Sequence, residues 1–595
     1  VDDLDDNTGN YRTFQSLDGV VTADMRHHEE RKRMELSSGG NVSESLEVKE
    51  EENCEDETEN QITVPPLTIF SKGRTLIIGP DIEHALDIGE LLTEKGLSCT
   101  LCVPTNENSE LSISRTGALD VIEGDSVSVS GSFGGFTITA AAGGDQKKLP
   151  ALFGNEVGFF DLVLDLQSTP SYRGKQLPVG YFAPGDDEIL IDEALAELPE
   201  MKGRFTRPQF TLLNENRCLH GRSQKHDCRR CLEICPLDAI SSDGRRIAFD
   251  PYLCQGCGGC ALVCPADAIR MQSPTQEEIL SALAARLSEA NVLEDSPPDL
   301  ILYDRNIENK TLRTMIAATG GSPVFFEVDE ISRIGLEVLL AALTNGAGSV
   351  TLICGQEKPA PISQALQRQV ELGKTILQGL HYPTDLLRFI IHQAERMEPE
   401  PYILPDKTGS EGPARLLIPP ASFPFGHDKR TLTCLAASHL FKVSGAHQSS
   451  IPLPDDAPYG AVVIDADSCS LCMACAGSCP PEALRADGDA PRISLVESRC
   501  HQCGLCMTAC PEDAIRLQPR LLCDFAAADS PVVAREVEPF NCIECGEPFA
   551  SQAMINRMQE KLSGHWMYSS DRQIRRLRMC RTCRTQDALT AGDFR

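Results

Sequence analysis

The sequence predicts a multidomain protein that combines the α/β and α+β fold classes. Two stretches, residues 66–210 and 274–400, alternate strand-like and helix-like segments, which is the pattern of parallel α/β domains. Two compact cysteine-rich modules, residues 211–273 and 459–522, each contain an internal repeat. A pair of CxxC knuckles lies within residues 535–590. With 595 residues, the chain is long enough for about three to five domains.

Residues 1–65 are predicted to form a disordered acidic tail, because nine acidic residues and one lysine lie between Glu44 and Glu59. The formal net charge of −32 disfavours nucleic acid and anionic membranes as partners and suits docking on basic protein surfaces. No run of 18 apolar residues is present, so we expect no direct membrane insertion. The first residues lack the charged and apolar regions of a secretory leader, which favours a cytoplasmic location.

The 66–210 domain begins with a β–α–β unit. RTLIIGP (74–80) and LSCTLCVP (97–104) read as buried strands, and residues 81–96 between them have helical spacing. Residues 121–140 alternate like a hairpin, and residues 160–166 read as another buried strand. We interpret this segment as a degenerate Rossmann-like domain.

The turn of that β–α–β unit does not suit a dinucleotide. It reads Gly79-Pro80-Asp81-Ile82-Glu83 and lacks the glycines that let a backbone approach a pyrophosphate. Pro80 removes an N–H donor, while Asp81 and Glu83 add negative charge where phosphate would bind. We therefore do not expect FAD or NAD in this domain.

The cysteines carry the chemistry, because twenty of the 26 lie in CxxC-type groups. The 459–522 module has two CxxCxxCxxxCP repeats, the spacing of bacterial two-cluster ferredoxins, in which the fourth cysteine of each repeat binds the other cluster. Structural zinc can explain a single CxxC but not eight cysteines in this order. The module is thus predicted to bind two [4Fe–4S] clusters, numbered 3 and 4 because the 211–273 module precedes it. Cluster 3 would be held by Cys469, Cys472, Cys475 and Cys510, and cluster 4 by Cys500, Cys503, Cys506 and Cys479.

The 211–273 module is less regular. Its second repeat has the same spacing, but nine residues, LHGRSQKHD, separate Cys218 from Cys228 where two are usual. His220 or His226 could replace Cys218, or the cluster could be a three-iron species. A loop of nine residues closes at little extra entropic cost, which favours Cys218. We predict that cluster 1 is held by Cys218, Cys228, Cys231 and Cys264, and cluster 2 by Cys254, Cys257, Cys260 and Cys235.

The C-terminal knuckles are separated by 34 residues and can grip one tetrahedral metal with four sulfurs. Zinc is the expected ion, and a rubredoxin-type single iron uses the same donors. A zinc site would be structural. The predicted ligands are Cys542, Cys545, Cys580 and Cys583.

The remaining segments are predicted from their composition. Residues 274–400 contain strands at 298–304, 322–328 and 348–354 and form a small parallel α/β domain, whereas residues 401–458 are rich in proline and read as a linker. Cys99 and Cys102 lie three residues apart on a strand and should face opposite sides of the sheet as core residues.

These residues resemble known families. Both cysteine modules resemble bacterial dicluster ferredoxins over about 110 residues. A Rossmann-like domain followed by a ferredoxin module is similar to the FAD-binding component of heterodisulfide reductases, through RTLIIGP, GSFGGFTITA and the run into Cys228–Cys235. GLEVLLAALTNGAGSVTLIC is similar to the delta subunit of methyl-viologen-reducing hydrogenases. The whole arrangement resembles large 4Fe–4S proteins of proteobacteria that are encoded beside formate dehydrogenases.

These observations favour an electron-transfer protein with four [4Fe–4S] clusters and one zinc. The resemblances imply an accessory or relay subunit of a redox enzyme such as a formate dehydrogenase. No catalytic triad, paired catalytic carboxylates or phosphate loop stands out, so an independent catalyst is not expected. Two alternatives stay open: a flavin- or nicotinamide-dependent oxidoreductase subunit that uses the N-terminal domain, and a maturation protein that delivers clusters or sulfur to a partner enzyme.

Overall fold

The computed structural model of the chain describes thirteen stretches of residues, which fall into two compact units. Residues 1–64 of the predicted acidic tail, with Cys54, lie outside the described residues, as do His226 and residues 401–417. The first unit holds the described residues up to 172 and residues 177–209, and the second holds residues 174–176 and those from 210 onward. The described stretches are 65–104, 112–124, 126–142, 145–148, 159–172, 174–223, 228–293, 297–307, 323–392, 418–486, 491–562, 564–565 and 568–591.

The first unit contains eleven described strands and two helices. The helices are α1 Ile82–Glu94 and α2 Glu188–Glu197. The strands are β1 Leu67–Ser71, β2 Arg74–Ile78, β3 Ser98–Pro104, β4 Ser112–Thr116, β5 Leu119–Gly124, β6 Ser126–Ser130, β7 Thr137–Ala142, β8 Asp145–Lys148, β9 Leu162–Asp165, β10 Tyr181–Phe182 and β11 Gly203–Arg207.

A six-stranded sheet with the order β10-β9-β2-β3-β5-β4 forms the centre of this unit, and only β4 runs antiparallel to its neighbour. The parallel pairing arises because α1 carries the chain back from the end of β2 to the start of β3. Cys99 and Cys102 pack in different hydrophobic clusters on the two faces of this sheet, as their spacing predicted. Burial raises the pKa of Cys99 to about 11, so this thiol stays neutral.

The turn after β2 places a carboxylate at the start of α1. The Asp81 side chain accepts hydrogen bonds from the backbone N–H groups of Glu83 and His84, both at 3.4 Å. These are two of the N–H groups that a bound phosphate would use at a helix N-terminus.

The second unit begins with the first cysteine-rich module, whose short strands pair in two antiparallel ladders. β12 Thr211–Leu213 pairs with β15 Ile269–Met271, and β13 Ile240–Ser242 pairs with β14 Ile247–Phe249. Two one-turn helices, α3 Arg230–Ile234 and α4 Gly259–Val263, each contain the third cysteine of their repeat.

A small α/β domain follows. Its four strands, in the order β17-β16-β18-β19, are all parallel. The three predicted strands begin and end within two residues of β16, β17 and β18. The last strand, β19, has no counterpart in the sequence prediction. The elements are α5 Gln276–Leu293, β16 Asp299–Asp304, β17 Val324–Val328, α6 Leu336–Thr344, β18 Ser349–Gly355, α7 Ala360–Gly379 and β19 Leu387–His392.

The proline-rich segment 401–458, read from sequence as a linker, contains the helix α8, Lys429–Ser444. Its residues Leu432, Ala436 and Leu440 recur every four positions, and each is 0% exposed within the core of the α/β domain. The segment therefore packs as part of this unit from Lys429 onward.

The second cysteine-rich module repeats the ladders of the first and is followed by the C-terminal elements. Its ladders are β21–β24 and β22–β23, with β20 and β25 added at their edges. The elements are β20 Ser450–Pro452, β21 Gly460–Ile464, α9 Ala474–Gly477, β22 Leu484–Ala486, β23 Arg492–Leu495, α10 Leu505–Ala509, β24 Ile515–Leu522, α11 Phe525–Asp529, β25 Val532–Glu536, β26 Pro539–Asn541, β27 Pro548–Ser551, α12 Gln552–Leu562, α13 Asp571–Arg576 and α14 Arg581–Ala591.

Candidate metal centres

Each of the four repeats ends in the sequence Cys-Pro-x-x-Ala, and the backbone conformation repeats there as well. The third residue after the cysteine is acidic in all four copies and takes a left-handed conformation that non-glycine residues rarely adopt. A strained backbone kept at one position in four copies indicates that the surrounding structure determines it. These residues are Asp238, Asp267, Glu482 and Asp513, with φ angles of 51°, 50°, 52° and 49°.

Reciprocal hydrogen bonds tie the two halves of each module together. In the first module, the Asn214 N–H donates to the Ala268 carbonyl and the Asp250 N–H donates to the Ala239 carbonyl, both at 2.8 Å. Each bond joins the entry to one cysteine loop with the Cys-Pro-x-x-Ala end of the other half. In the second module the same bonds run from Asp465 to Ala514 and from Val496 to Ala483, again at 2.8 Å.

The CxxCxxC loops share a second backbone feature. In all three regular loops, the residues that flank the middle cysteine are left-handed, so the chain curls around one point. In the irregular loop, Arg229 directly follows the equivalent cysteine, Cys228, and has a φ of −119°. The departure seen in the sequence is therefore local to that loop. The left-handed pairs are Gly256 and Gly258, Leu471 and Met473, and Gln502 and Gly504.

The structure brings the predicted ligands of clusters 3 and 4 together. Cys469, Cys472, Cys475 and Cys510 line one pocket. Burial raises the pKa of the Cys506 thiol strongly, and the neighbouring thiols Cys500, Cys503 and Cys479 raise it further.

The predicted ligands of clusters 1 and 2 also lie together. Burial raises the pKa of Cys231 to about 12, and the nearby thiols that add to this are Cys264, Cys228 and Cys218. Burial raises the pKa of Cys260 well above its usual value, with contributions from Cys257, Cys254 and Cys235. In both modules, the last cysteine of one repeat joins the first three of the other.

The donor sets fit iron–sulfur clusters. The raised pKa values of Cys231, Cys260 and Cys506 favour neutral thiols at these positions in a bare chain, whereas bound iron would make thiolates the stable form. Hydrogen-bond donors that favour thiolates are already in place, since N–H groups point at several of these sulfurs. They run from Ala268 N to Cys264 Sγ at 3.3 Å, from Leu471 N to Cys469 Sγ at 3.4 Å, from Ala514 N to Cys510 Sγ at 3.4 Å and from Gln502 Nε2 to Cys500 Sγ at 3.2 Å.

The insert after Cys218 folds back on its own loop. His220 is 4% exposed, and both of its ring nitrogens have partners: Nδ1 lies 2.9 Å from the Cys228 carbonyl and Nε2 lies 2.6 Å from the Ser242 hydroxyl. The Arg222 side chain donates to the Cys218 carbonyl at 3.0 Å. His220 and Arg222 thus hold the two ends of the insert, and His226 lies outside the described residues.

The four C-terminal cysteines form one cluster of sulfurs. The Sγ atoms of Cys542, Cys545, Cys580 and Cys583 all lie within 4.8 Å of one another. The Cys580 N–H donates to Cys542 Sγ at 3.2 Å. Burial disfavours the Cys542 thiolate, but N–H donors from Cys545, Cys580 and Glu544 outweigh it and lower the pKa of Cys542 to about 6. This set fits one tetrahedral metal ion.

Side chains from neighbouring elements support the cysteine loops, and the cysteine spacing alone could not reveal them. The Ser332 hydroxyl donates to the Cys257 carbonyl at 2.5 Å in the cluster 2 loop. The Ser551 hydroxyl donates to the Ser470 carbonyl at 2.8 Å in the cluster 3 loop, and Arg557 pairs with Glu512 beside it.

No helix in the described stretches is both long enough and apolar enough to cross a bilayer.

Comparison with known proteins agrees with this geometry. A family model of the 4Fe–4S dicluster domain matches residues 226–268, and a model of the 4Fe–4S binding domain matches residues 493–516. A ferredoxin of Saccharopolyspora erythraea is 38% identical over 50 residues, which are 8% of this chain and 47% of the relative. A protein of Hydrogenibacillus schlegelii named Ferredoxin 7Fe is 40% identical over 48 residues, 8% of this chain and 62% of the relative.

A larger relative matches over a longer stretch. Pyruvate synthase subunit PorD of Thermotoga maritima is 36% identical over 74 residues, which are 12% of this chain and 65% of the relative. The chain spans between about half and two thirds of the length of these curated relatives. The matches support iron–sulfur binding and electron transport. The chain is a mixed α/β protein that carries two 4Fe–4S domains of the ferredoxin type and a C-terminal cysteine cluster.

Proposed function

We propose that the chain is an electron-transfer protein with four [4Fe–4S] clusters, two in each cysteine module. The main supporting observation is that all four module halves share a cysteine loop, a left-handed acidic residue and a reciprocal backbone hydrogen bond. The four thiols of each predicted ligand set lie together. When bound, such clusters supply one-electron redox chemistry. The ligand sets are those of the sequence prediction, with the last cysteine of each repeat exchanged between the halves.

Cluster 1 takes Cys218 as its fourth ligand. Two observations support Cys218: its sulfur acts on the pKa of Cys231 together with Cys228 and Cys264, and both ring nitrogens of His220 are used in other hydrogen bonds. A three-iron form of this cluster remains a specific alternative. The irregular loop and the likeness to a protein whose name gives seven irons favour testing it.

The C-terminal site takes one zinc ion with a structural role. Its small hydrophobic cluster consists of Cys542, Met579 and Cys580 with Phe549 and Cys583 packed against them, so a metal would supply much of the cohesion of this segment. A single iron uses the same four sulfurs, and metal analysis separates the two ions.

We further propose that the protein is an accessory or relay subunit of a cytoplasmic redox enzyme. The resemblance to 4Fe–4S proteins encoded beside formate dehydrogenases makes such a dehydrogenase the first partner to test. The five parallel strands of the first unit support a Rossmann-like relationship, and the Asp81 carboxylate at the start of α1 supports the absence of a nucleotide.

Anaerobic iron, sulfide and zinc analysis with EPR tests the proposal. Four clusters give about sixteen irons per chain, and a three-iron cluster 1 gives about fifteen. An iron content near eight would mean that one module binds no cluster and would contradict the proposal. Stoichiometric flavin in the purified protein would support the oxidoreductase alternative, and transfer of iron and sulfide to an apo-acceptor would support the maturation alternative.

A further inference from the structure

Three consecutive residues at the start of α8 contact both cysteine modules. Asp428 caps the helix and accepts a hydrogen bond from Arg217 Nη2 at 2.8 Å, directly before Cys218 of the first module. Lys429 Nζ donates to the Ala261 carbonyl at 2.6 Å, directly after Cys260 of the same module. The helix N-terminus is thus fixed to the first module at two separate ligand loops.

The third residue, Arg430, binds the second module. Its side chain is 7% exposed and donates to the carbonyls of Ser498, Pro458 and Cys500, the last at 2.6 Å. Its guanidinium carbon also lies 4.5 Å from the centre of the Tyr459 ring. Cys500 begins the cluster 4 loop, so a buried positive charge lies beside that cluster's predicted ligands.

The cluster 4 loop packs directly into the first module. Leu505 is 4% exposed and belongs to the hydrophobic cluster that contains Cys231, Cys260 and Cys264, and Cys503 packs against the same cluster. Arg217, which Asp428 holds, also lies 3.7 Å from Asp267, three residues after Cys264. Cys264 and Cys218, which directly follows Arg217, are both predicted ligands of cluster 1. The loops of clusters 1 and 4 therefore face each other across the junction.

The loops of the other two clusters are each held by a further segment as well. The cluster 2 loop is held by Ser332 and Arg333 of the α/β domain. The cluster 3 loop is held by Ser551 of the C-terminal segment.

We propose that Asp428, Lys429 and Arg430 are positioning residues that hold the cluster 1 and cluster 4 loops side by side, and that electrons cross between the modules at this junction. The inference rests on the proposed function. With clusters bound, each crossing would move one electron from one cluster to the other and would break or form no bond. Lys429 and Arg430 place positive charge at the junction, which favours the reduced, more negative clusters there.

The test compares Arg430→Gln with the conservative Arg430→Lys and with Arg535→Gln in the full-length, dithionite-reduced protein. Arg535 is a matched control, because it donates to the Ala466 carbonyl at 2.9 Å on the cluster 3 side of the same module. The measurements are iron content, the potential of each cluster by EPR titration, spin–spin broadening of the cluster 4 signal, and amide hydrogen exchange at Leu505.

For Arg430→Gln we expect full iron content, a lower cluster 4 potential, reduced broadening and about tenfold faster exchange at Leu505, since several charged hydrogen bonds are lost. Arg430→Lys should restore most of the potential, and Arg535→Gln should change cluster 3 instead. Should Arg430→Gln fail to accumulate, Lys429→Gln is expected to reduce the broadening and speed exchange at Leu505, because α8 then loses its contact with the Ala261 carbonyl of the first module. Full iron with unchanged broadening and potential would overturn the inference alone, whereas wild-type protein with about eight irons would overturn the proposed function as well.

Discussion

Arg333 donates two hydrogen bonds to the carbonyl of Gly256, from Nε at 3.1 Å and from Nη2 at 2.7 Å. A third runs from Nη1 to the Ser273 carbonyl at 2.5 Å. Gly256 lies between Cys254 and Cys257, so a side chain of the α/β domain fixes the cluster 2 loop from outside its module. The docking also brings a guanidinium close to the predicted thiolates of that cluster.

Replacing Arg333 with Gln should therefore lower the reduction potential of cluster 2 and leave the other three unchanged. We also expect a loss of about 2–3 kcal/mol in the free energy of unfolding, because buried carbonyl groups lose charged donors. EPR-monitored redox titration and denaturant unfolding measure the two effects. Arg305→Gln is the matched control, because Arg305 is exposed and its ion pair with Glu327 should be worth less than about 1 kcal/mol. Equal shifts in both variants would argue against a specific role of Arg333.

Gly221 should be essential to the insert of the cluster 1 loop. It has a φ of +70°, and a Cβ placed there would lie 2.0 Å from the Arg245 carbonyl oxygen. Gly221→Ala should reduce iron content by about four atoms per chain, because the insert can no longer approach the β13–β14 hairpin.

Gly244→Ala is the control that separates the effect of a steric clash from the effect of a left-handed backbone conformation in this hairpin. Gly244 lies in the same hairpin with a φ of +87°, but a Cβ there would meet nothing within 4 Å. We expect it to keep its iron and to lose only about 1–2 kcal/mol of stability from the left-handed conformation. Iron loss of the same size in both variants would show that the contact with Arg245 is not the cause.

Cys218 and His220 should respond differently to substitution. Cys218→Ala is expected to lose cluster 1 or convert it to a three-iron form, which has a distinct EPR signal in the oxidised protein. His220→Gln should keep its iron and only loosen the loop, because the imidazole holds a backbone carbonyl and a hydroxyl. Loss of cluster 1 in His220→Gln with retention in Cys218→Ala would reverse the ligand assignment.

Glu337 should make the α/β domain less stable as the pH rises. Burial raises the pKa of this carboxyl from 4.5 to about 7, against the opposing charge of Lys429. The folded state therefore binds a proton that the unfolded state has released between these values, and stability falls by about 3 kcal/mol as pH rises from about 4.5 to 7. Glu337→Gln should remove this slope, as measured by urea unfolding from pH 5 to 8. An unchanged slope in the variant would contradict the assignment to Glu337.

Cysteine spacing predicts which thiols lie together, because ligand geometry constrains local sequence. It groups all twenty cysteines, and the thiols of each group lie together in the structure. The supports from other elements could not be predicted this way. Arg333 and Arg430 are ordinary arginines in sequence, and their roles depend on packing between segments more than 60 residues apart. The helix α8 is not predicted, because the prolines before Lys429 dominate the composition of residues 401–458.

Removal of the C-terminal metal should unfold the C-terminal segment and leave the iron–sulfur modules loaded. The four sulfurs lie within 4.8 Å of one another, and without a metal the low pKa of Cys542, about 6, would leave a thiolate beside three other thiols. Cys580→Ser should therefore lose one zinc per chain, retain about sixteen irons, and expose residues 539–591 to protease. Cys523→Ser is the control, because Cys523 is buried outside every ligand set and should keep both metals. Iron in place of zinc in the wild-type protein would identify a rubredoxin-type site, and intact protease resistance in Cys580→Ser would show that the metal does not stabilise the segment.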